Sequence, residues 1–162
     1  MKTGPASGAR SSSSGNPADL TMIVDDMCDA DDIAFIEEHV MDATVAAGEV
    51  GEEHELLIVV RDASGNLRAG VTGGTWGRCC ELRYLWVDPD LRGRGLGSAV
   101  MAEAELEARR RGCHTMVLLT HDIQAPGFYE SLGYQTAGVI ENYPHGSSAR
   151  WFQKHLGSQR LG

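Results

Sequence analysis

The chain has 162 residues, with 14 Lys and Arg against 23 Asp and Glu and a formal charge of −9. That length suits one domain with a core of its own. The acidic balance argues against nucleic acid, which rewards a basic face, and no apolar run approaches the ~20 residues of a membrane helix. Cys28, Cys79, Cys80 and Cys113 form no C-x-x-C pair, so the expectation is reduced thiols in a cytoplasmic protein, with neither a disulfide framework nor a zinc site.

Residues 1–19 hold Gly4, Pro5, Gly8, the serines Ser11 to Ser14, Gly15 and Pro17. Such a segment buries too little apolar surface to order itself, and the expectation is a disordered tail without the apolar stretch of a secretory signal. A domain is expected over residues 20–156, followed by a short tail, 157–162. Leu20 to Val24 reads as a strand. Asp29 or Asp31 can cap a helix that carries Ile33, Ile36 and Val40 at helical spacing and ends near Ala47-Gly48. An acidic loop follows over 49–55. Leu56 to Arg61 is an apolar strand, Ala63 to Asn66 a turn, and Leu67 to Trp76 a glycine-rich strand returning as a hairpin. Gly73-Gly74 marks a bulge or a close backbone approach. Gly77-Arg78 turns the chain into a strand from Cys80 to Val87.

The stretch Tyr84 to Gly97 is the most informative. Tyr84, Leu85, Trp86 and Val87 suit a strand, which Asp88-Pro89-Asp90 stops. Arg92-Gly93-Arg94-Gly95-Leu96-Gly97 then opens a helix near Leu96. Glycines ahead of a helix bring backbone N–H groups close to a ligand, with the positive end of the helix dipole behind them. This describes a phosphate cradle with two arginines; the alternative is a surface turn rich in Gly and Arg.

The helix from Leu96 puts Leu96, Ala99, Val100, Ala104 and Ala108 on one stripe. Arg109, Arg110 and Arg111 complement its negative end, and Gly112 stops it. Thr115 to Thr120 reads as a strand buried on both faces. A short helix, Ala125 to Leu132, ends at Gly133. Tyr134 to Ile140 and Ala149 to Leu156 are strands joined by a loop. The order β α β β β α β α β β predicts an α/β fold, a mixed sheet with helices on its faces.

The bend resembles the R-x-x-G-x-G signature of the GNAT superfamily of N-acetyltransferases, here Arg92-x-x-Gly95-x-Gly97 after a Val87-Asp88-Pro89 turn. A second segment, Ala125-Pro126-Gly127-Phe128-Tyr129-Glu130-Ser131-Leu132-Gly133-Tyr134, is similar to the family's later helix, in the right order and at a plausible separation. The resemblance covers residues 20–156 and implies a three-layer α/β/α fold. In that fold two central parallel strands, around 84 and 117, splay into a V that holds the pantetheine arm of acetyl-CoA.

Acetyl transfer from a thioester to an amine requires an anchored donor, a neutral attacking amine, stabilisation of the carbonyl oxygen, and a proton for the leaving thiolate. The resemblance implies that the backbone from Arg92 through Gly93, Arg94, Gly95, Leu96, Gly97 and Ser98 faces the pyrophosphate. It implies that the Leu85-Trp86-Val87 backbone meets the pantetheine amides, with the Val87 N–H at the carbonyl oxygen. Tyr129 would protonate the thiolate; a phenol and a thiolate are near enough in basicity for that. Glu81, eleven positions before Arg92, sits where some members carry a general base, and His121 or His54 are other candidates. Where members carry an asparagine that bonds pantetheine, this chain has Asp122, which has no amide hydrogen to donate.

Between Ser11 and Val60 there is no Lys or Arg, and thirteen acids occupy the span. An acidic wall would concentrate a cationic acceptor such as a polyamine, an amino sugar or a lysine-rich peptide; the plainer explanation is a solvated helix face. A homodimer is compatible with this reading. Two rivals remain at this point: a dinucleotide-binding module, for which Ser98 stands where the fingerprint needs glycine, and a non-catalytic acyl-CoA sensor.

Overall fold

The computed structural model describes residues 29–46 and 51–157. The described residues divide into two units between Glu38 and His39. The strand expected over Leu20 to Val24, the terminal tails and Cys28 lie outside the described residues. Helix α1, Ala30–Ala46, begins where the Asp29 carboxylate accepts the Asp31 N–H at 2.9 Å and the Asp29 carbonyl accepts the Ile33 N–H at 3.1 Å. Of the two expected caps, the helix therefore uses Asp29.

The rest of the described chain runs β1 (His54–Arg61), β2 (Leu67–Trp76), β3 (Cys79–Val87), a 3-10 turn (Pro89–Leu91), α2 (Leu96–Arg110), β4 (Thr115–His121), α3 (Pro126–Ser131), β5 (Gln135–Glu141) and β6 (Ser148–His155). This is the α/β order expected. The sheet is mixed and six-stranded, in the order β1-β2-β3-β4-β6-β5. β1, β2 and β3 form an antiparallel meander, β3 and β4 are parallel across α2, and β4, β6 and β5 are antiparallel. Among the described residues no helix is long and apolar enough to cross a membrane.

One core lies on the α2 face of the sheet. Leu56, Val71, Leu82, Met116 and Phe152 from the strands meet Val100, Met101 and Ala104 from α2, and α3 adds Phe128, Tyr129 and Leu132 at its margin. Phe152, Met101 and Met116 are wholly buried, each stabilising the fold by about 1.5–3 kcal/mol. Cys80 and Cys113 are small core residues, and burial pushes the Cys80 thiol up to about 12.

The α2 stripe departs from expectation at Ala99, which is exposed, while Met101 is buried beside Val100. From Ala104, three and four residues back reach Met101 and Val100; five back rotates to the far side of the helix. Glu105 is buried on the same stripe because Lys154 Nζ lies 2.7 Å from its Oε1 and Arg109 lies 3.4 Å from its Oε2, which pairs a charge that would be costly alone. The terminal arginines do more than answer the helix dipole. Arg109 donates to the Leu156 carbonyl at 3.0 Å, and Arg111 donates to the His54 and Glu55 carbonyls at 3.3 and 2.9 Å. They staple the end of α2 to chain that follows β6 and to the start of β1.

The register of β2 on β3 slips between Thr72 and Gly73: Thr72 faces Tyr84, Gly73 faces Leu82, and Arg83 is left over. This is the bulge that Gly73-Gly74 announced. A side chain at Gly73 would run into the Glu81 carbonyl, and one at Gly74 into the Glu53 carboxylate. Glu53 and Glu55 both pair with the bulged Arg83. β3 pairs with β4 only through Cys79–Leu82 against Thr115–Leu118. Past the bulge, β3 continues to Val87 and β4 to His121 without pairing to each other, and the sheet opens as the expected V.

Candidate active site

The open arms of the V bound a cleft of about 1000 Å³. Of the residues expected there, Glu81, Leu85, Trp86, Val87, Arg92, Gly93, Gly95, Gly97, Ser98 and Tyr129 line it, whereas the side chains of Arg94, Leu96 and Asp122 do not. Its mouth is the glycine bend. Gly93 and Gly95 take φ of 71° and 82°, the left-handed region that other residues enter at a cost. No atom lies within 4 Å of where a side chain at either would begin. Gly95 is the N-cap of α2 and supplies no capping side chain, so the N–H groups of the first helical turn lack a side-chain partner at the mouth of the cleft. That arrangement suits an anion of phosphate type, and the pyrophosphate of coenzyme A fits it.

Neighbouring bonds fix the bend. The Asp88 carboxylate caps the 3-10 turn by accepting the Asp90 N–H at 3.0 Å, and Arg68 pairs with it at 3.2 Å. Arg92 folds back so that its Nε donates to the Val87 carbonyl at 3.1 Å, which brings its charge against the strand end. The Asp88 N–H donates to the Arg68 carbonyl of β2 at 2.9 Å. Strand amides alternate in direction, so the Val87 N–H points the other way, into the gap where β4 has diverged.

Tyr129 reaches the cleft from α3. Its ring packs against Phe128, Tyr134 and Phe152, with centroids 5.2, 6.1 and 6.0 Å away. Burial raises its pKa above the ordinary phenol value, so the hydroxyl keeps its proton. Glu81 sits at the closed end of the V, on the face away from α2, because Cys80 and Leu82 on either side point into the core. His121 lines the cleft at the end of β4, and its Nδ1 lies 3.2 Å from the Tyr143 carbonyl. A carbonyl only accepts, so Nδ1 carries the hydrogen, and in the neutral ring the lone pair lies on Nε2. His54 lies instead on a second hollow, with Trp76 and Arg111.

Asp122 is taken up by Arg150, at 2.6 and 3.1 Å, and that bond holds its carboxyl below the usual carboxylate range. Gln124, which the sequence did not single out, lines the cleft nearby. Its Oε1 accepts the Thr120 hydroxyl at 2.8 Å and the His121 N–H at 3.0 Å. Because the backbone N–H must donate, the amide orientation is fixed and its NH₂ is turned away from those two donors. Leu119, Ile123, Phe128 and Trp151 also line the cleft; only the pairing of β4 with β6 brings Trp151 there, and no local signal marks it.

Residues 52–136 match the acetyltransferase (GNAT) domain family. The chain is 38% identical over 115 residues to the blasticidin-S acetyltransferase of Streptomyces morookaense, spanning 70% of this chain and 74% of that one. It is 26% identical over 137 residues to an acetyltransferase of Agrobacterium fabrum, spanning 85% of this chain and 100% of that one. Among solved structures, an acetyltransferase from Bacillus cereus superposes with a TM-score of 0.72 at 29% identity, covering 83% of this chain and 97% of that one. The dinucleotide-binding alternative falls away with the topology, since the bend follows the third strand of an antiparallel meander rather than a first βα unit. The non-catalytic alternative is set aside by relatives named as acetyltransferases.

Proposed function

Because the chain belongs to the GNAT family of acetyltransferases and is an acyltransferase, we propose that it moves an acetyl group from acetyl-CoA to the primary amine of a small cationic acceptor. The observation that carries this reading is the mouth of the V: two left-handed glycines and an uncapped helix start, opening directly onto the unpaired edge of β3.

In this reading the N–H groups from Gly93 to Ser98 hold the pyrophosphate, and the arms of the V take the pantetheine. Bound acetyl-CoA supplies the acyl group as a thioester. The Val87 N–H faces the carbonyl oxygen and stabilises the charge it gains. The Tyr129 hydroxyl, kept protonated by its burial, gives a proton to the departing sulfur. Glu81 takes the proton from the acceptor's ammonium, since it is on the sheet face away from the cradle helix. His121 Nε2 is the rival base. Gln124, rather than Asp122, offers the side-chain amide N–H to the pantetheine, because Arg150 already occupies the Asp122 carboxylate.

Calorimetric titration with coenzyme A, followed by thiol release from acetyl-CoA across an amine panel, tests the reading. Blasticidin-S is the first acceptor to try, given the relative that acts on it. Binding of coenzyme A together with amine-dependent thiol release is expected; no heat and no release would refute it.

A further inference from the structure

We infer that the acceptor carries a flat unsaturated ring near its amine, held on an aromatic wall formed by Tyr84, Trp86 and Trp151. The inference rests on the acetyl-transfer reading and narrows its substrate. Leu85 and Val87 pack toward the core, so Tyr84 and Trp86 project from the opposite face of β3. Both line the cleft, at 76% and 43% exposure. On the other arm, Phe152 points into the core and Trp151 therefore lies on the face that Tyr84 and Trp86 share; it lines the same cleft. Each tryptophan has a glycine across the register, Gly70 beside Trp86 and Gly138 beside Trp151. No neighbouring side chain from those positions covers either ring.

Large aromatics facing an open cleft offer flat area at little cost in side-chain entropy, and they favour planar rings and cations. A polyamine or an amino sugar presents no such ring. The chemistry at the closed end agrees: Glu81 is on the same face as Tyr84 and Trp86. Because Arg83 is bulged out, Glu81 and Tyr84 face Gly74 and Thr72, two steps apart on β2; at about 3.3 Å per step they are separated by roughly 7 Å of strand, about the length of one ring and a short two-carbon arm. An acceptor seated on the rings would then place its amine at the carboxylate.

The test uses 2-phenylethylamine and 2-cyclohexylethylamine, alike in length and basicity and different in flatness. Their Kd values are measured by ligand-observed NMR on the free protein and on the protein saturated with coenzyme A, and kcat/KM follows by thiol release. The aromatic amine should bind roughly tenfold more tightly. In a Tyr84→Leu/Trp86→Leu double variant, whose replaced side chains project from the sheet face away from the core, that ratio should fall to about twofold or less on the protein saturated with coenzyme A. Trp76→Leu, outside the cleft, should retain the full preference. Equal binding of the two amines by the unaltered protein would overturn the inference, as would a preference that survives the double variant. Failure of coenzyme A to bind would instead overturn the acetyl-transfer reading, and the amine Kd values on free protein would still judge the aromatic wall separately.

Discussion

Tyr129→Phe isolates one hydroxyl. The ring's contacts with Phe128, Tyr134 and Phe152 at 5.2–6.1 Å survive in phenylalanine, so stability should move by no more than about 1 kcal/mol. Tyr129→Ala would remove that packing and cost about 3–5 kcal/mol, confusing unfolding with chemistry. General acids contribute typically 10²–10⁴-fold, or about 2.7–5.4 kcal/mol. Here burial holds the phenol above its ordinary value, so nearly every molecule carries the proton at neutral pH and the whole effect is available. The expected outcome is a kcat at least ~100-fold lower, with KM for acetyl-CoA within about threefold and a melting temperature within about 4 °C. The assay is thiol release under saturating acceptor, paired with thermal unfolding of both proteins. A phenylalanine variant retaining half the turnover would show that no proton passes through Tyr129. The reasoning on burial would fail separately if the unaltered enzyme lost kcat along an alkaline limb centred well below pH ~10, the ordinary phenol value, and Tyr129→Phe abolished that limb.

Three further outcomes follow from the geometry. Gly95→Ala places a β-carbon at a φ of 82° where nothing crowds it, so the cost is conformational, about 1–2 kcal/mol; calorimetry should show a melting point lower by roughly 2–8 °C and a weaker coenzyme A Kd. Glu105→Ala strands Lys154 and Arg109 beside the core, which should lower stability by about 2–4 kcal/mol in urea, with the Glu105→Leu/Lys154→Met pair recovering much of the loss. Burial first and Glu105 second push the Tyr134 pKa up, and unfolding restores its ordinary value near 10. The folded state therefore binds the proton more tightly, so this contribution is intact below pH ~10 and lost as pH climbs beyond it. Urea midpoints at pH 8 and 10.5 should fall in the unaltered protein and fall less in Tyr134→Phe.

Sequence alone determined the parts set by neighbours in the chain. Period-two and period-3.6 patterns, with Gly and Pro at their ends, located β1 to β6, α2 and α3, because these preferences act over a few residues. The arginine-glycine bend before Leu96 was legible because glycine enters positive φ at little cost, and Gly73-Gly74 marked the bulge because side chains there would meet Glu81 and Glu53. Tertiary structure decided what depends on partners far along the chain. The V opens because β3 slips past Gly73 while β4 pairs onward with β6, and nothing within the run from Tyr84 to Val87 encodes that parting. Asp122 looked available until Arg150, 28 positions later, claimed it, and the shorter of the two ion pairs that accompany the buried Glu105 comes from Lys154, 49 residues away. Trp151 reached the cleft through pairing alone. A local pattern can say which atoms a residue carries and which way its backbone turns; which opposite charge or strand edge it finds is a property of the closed fold.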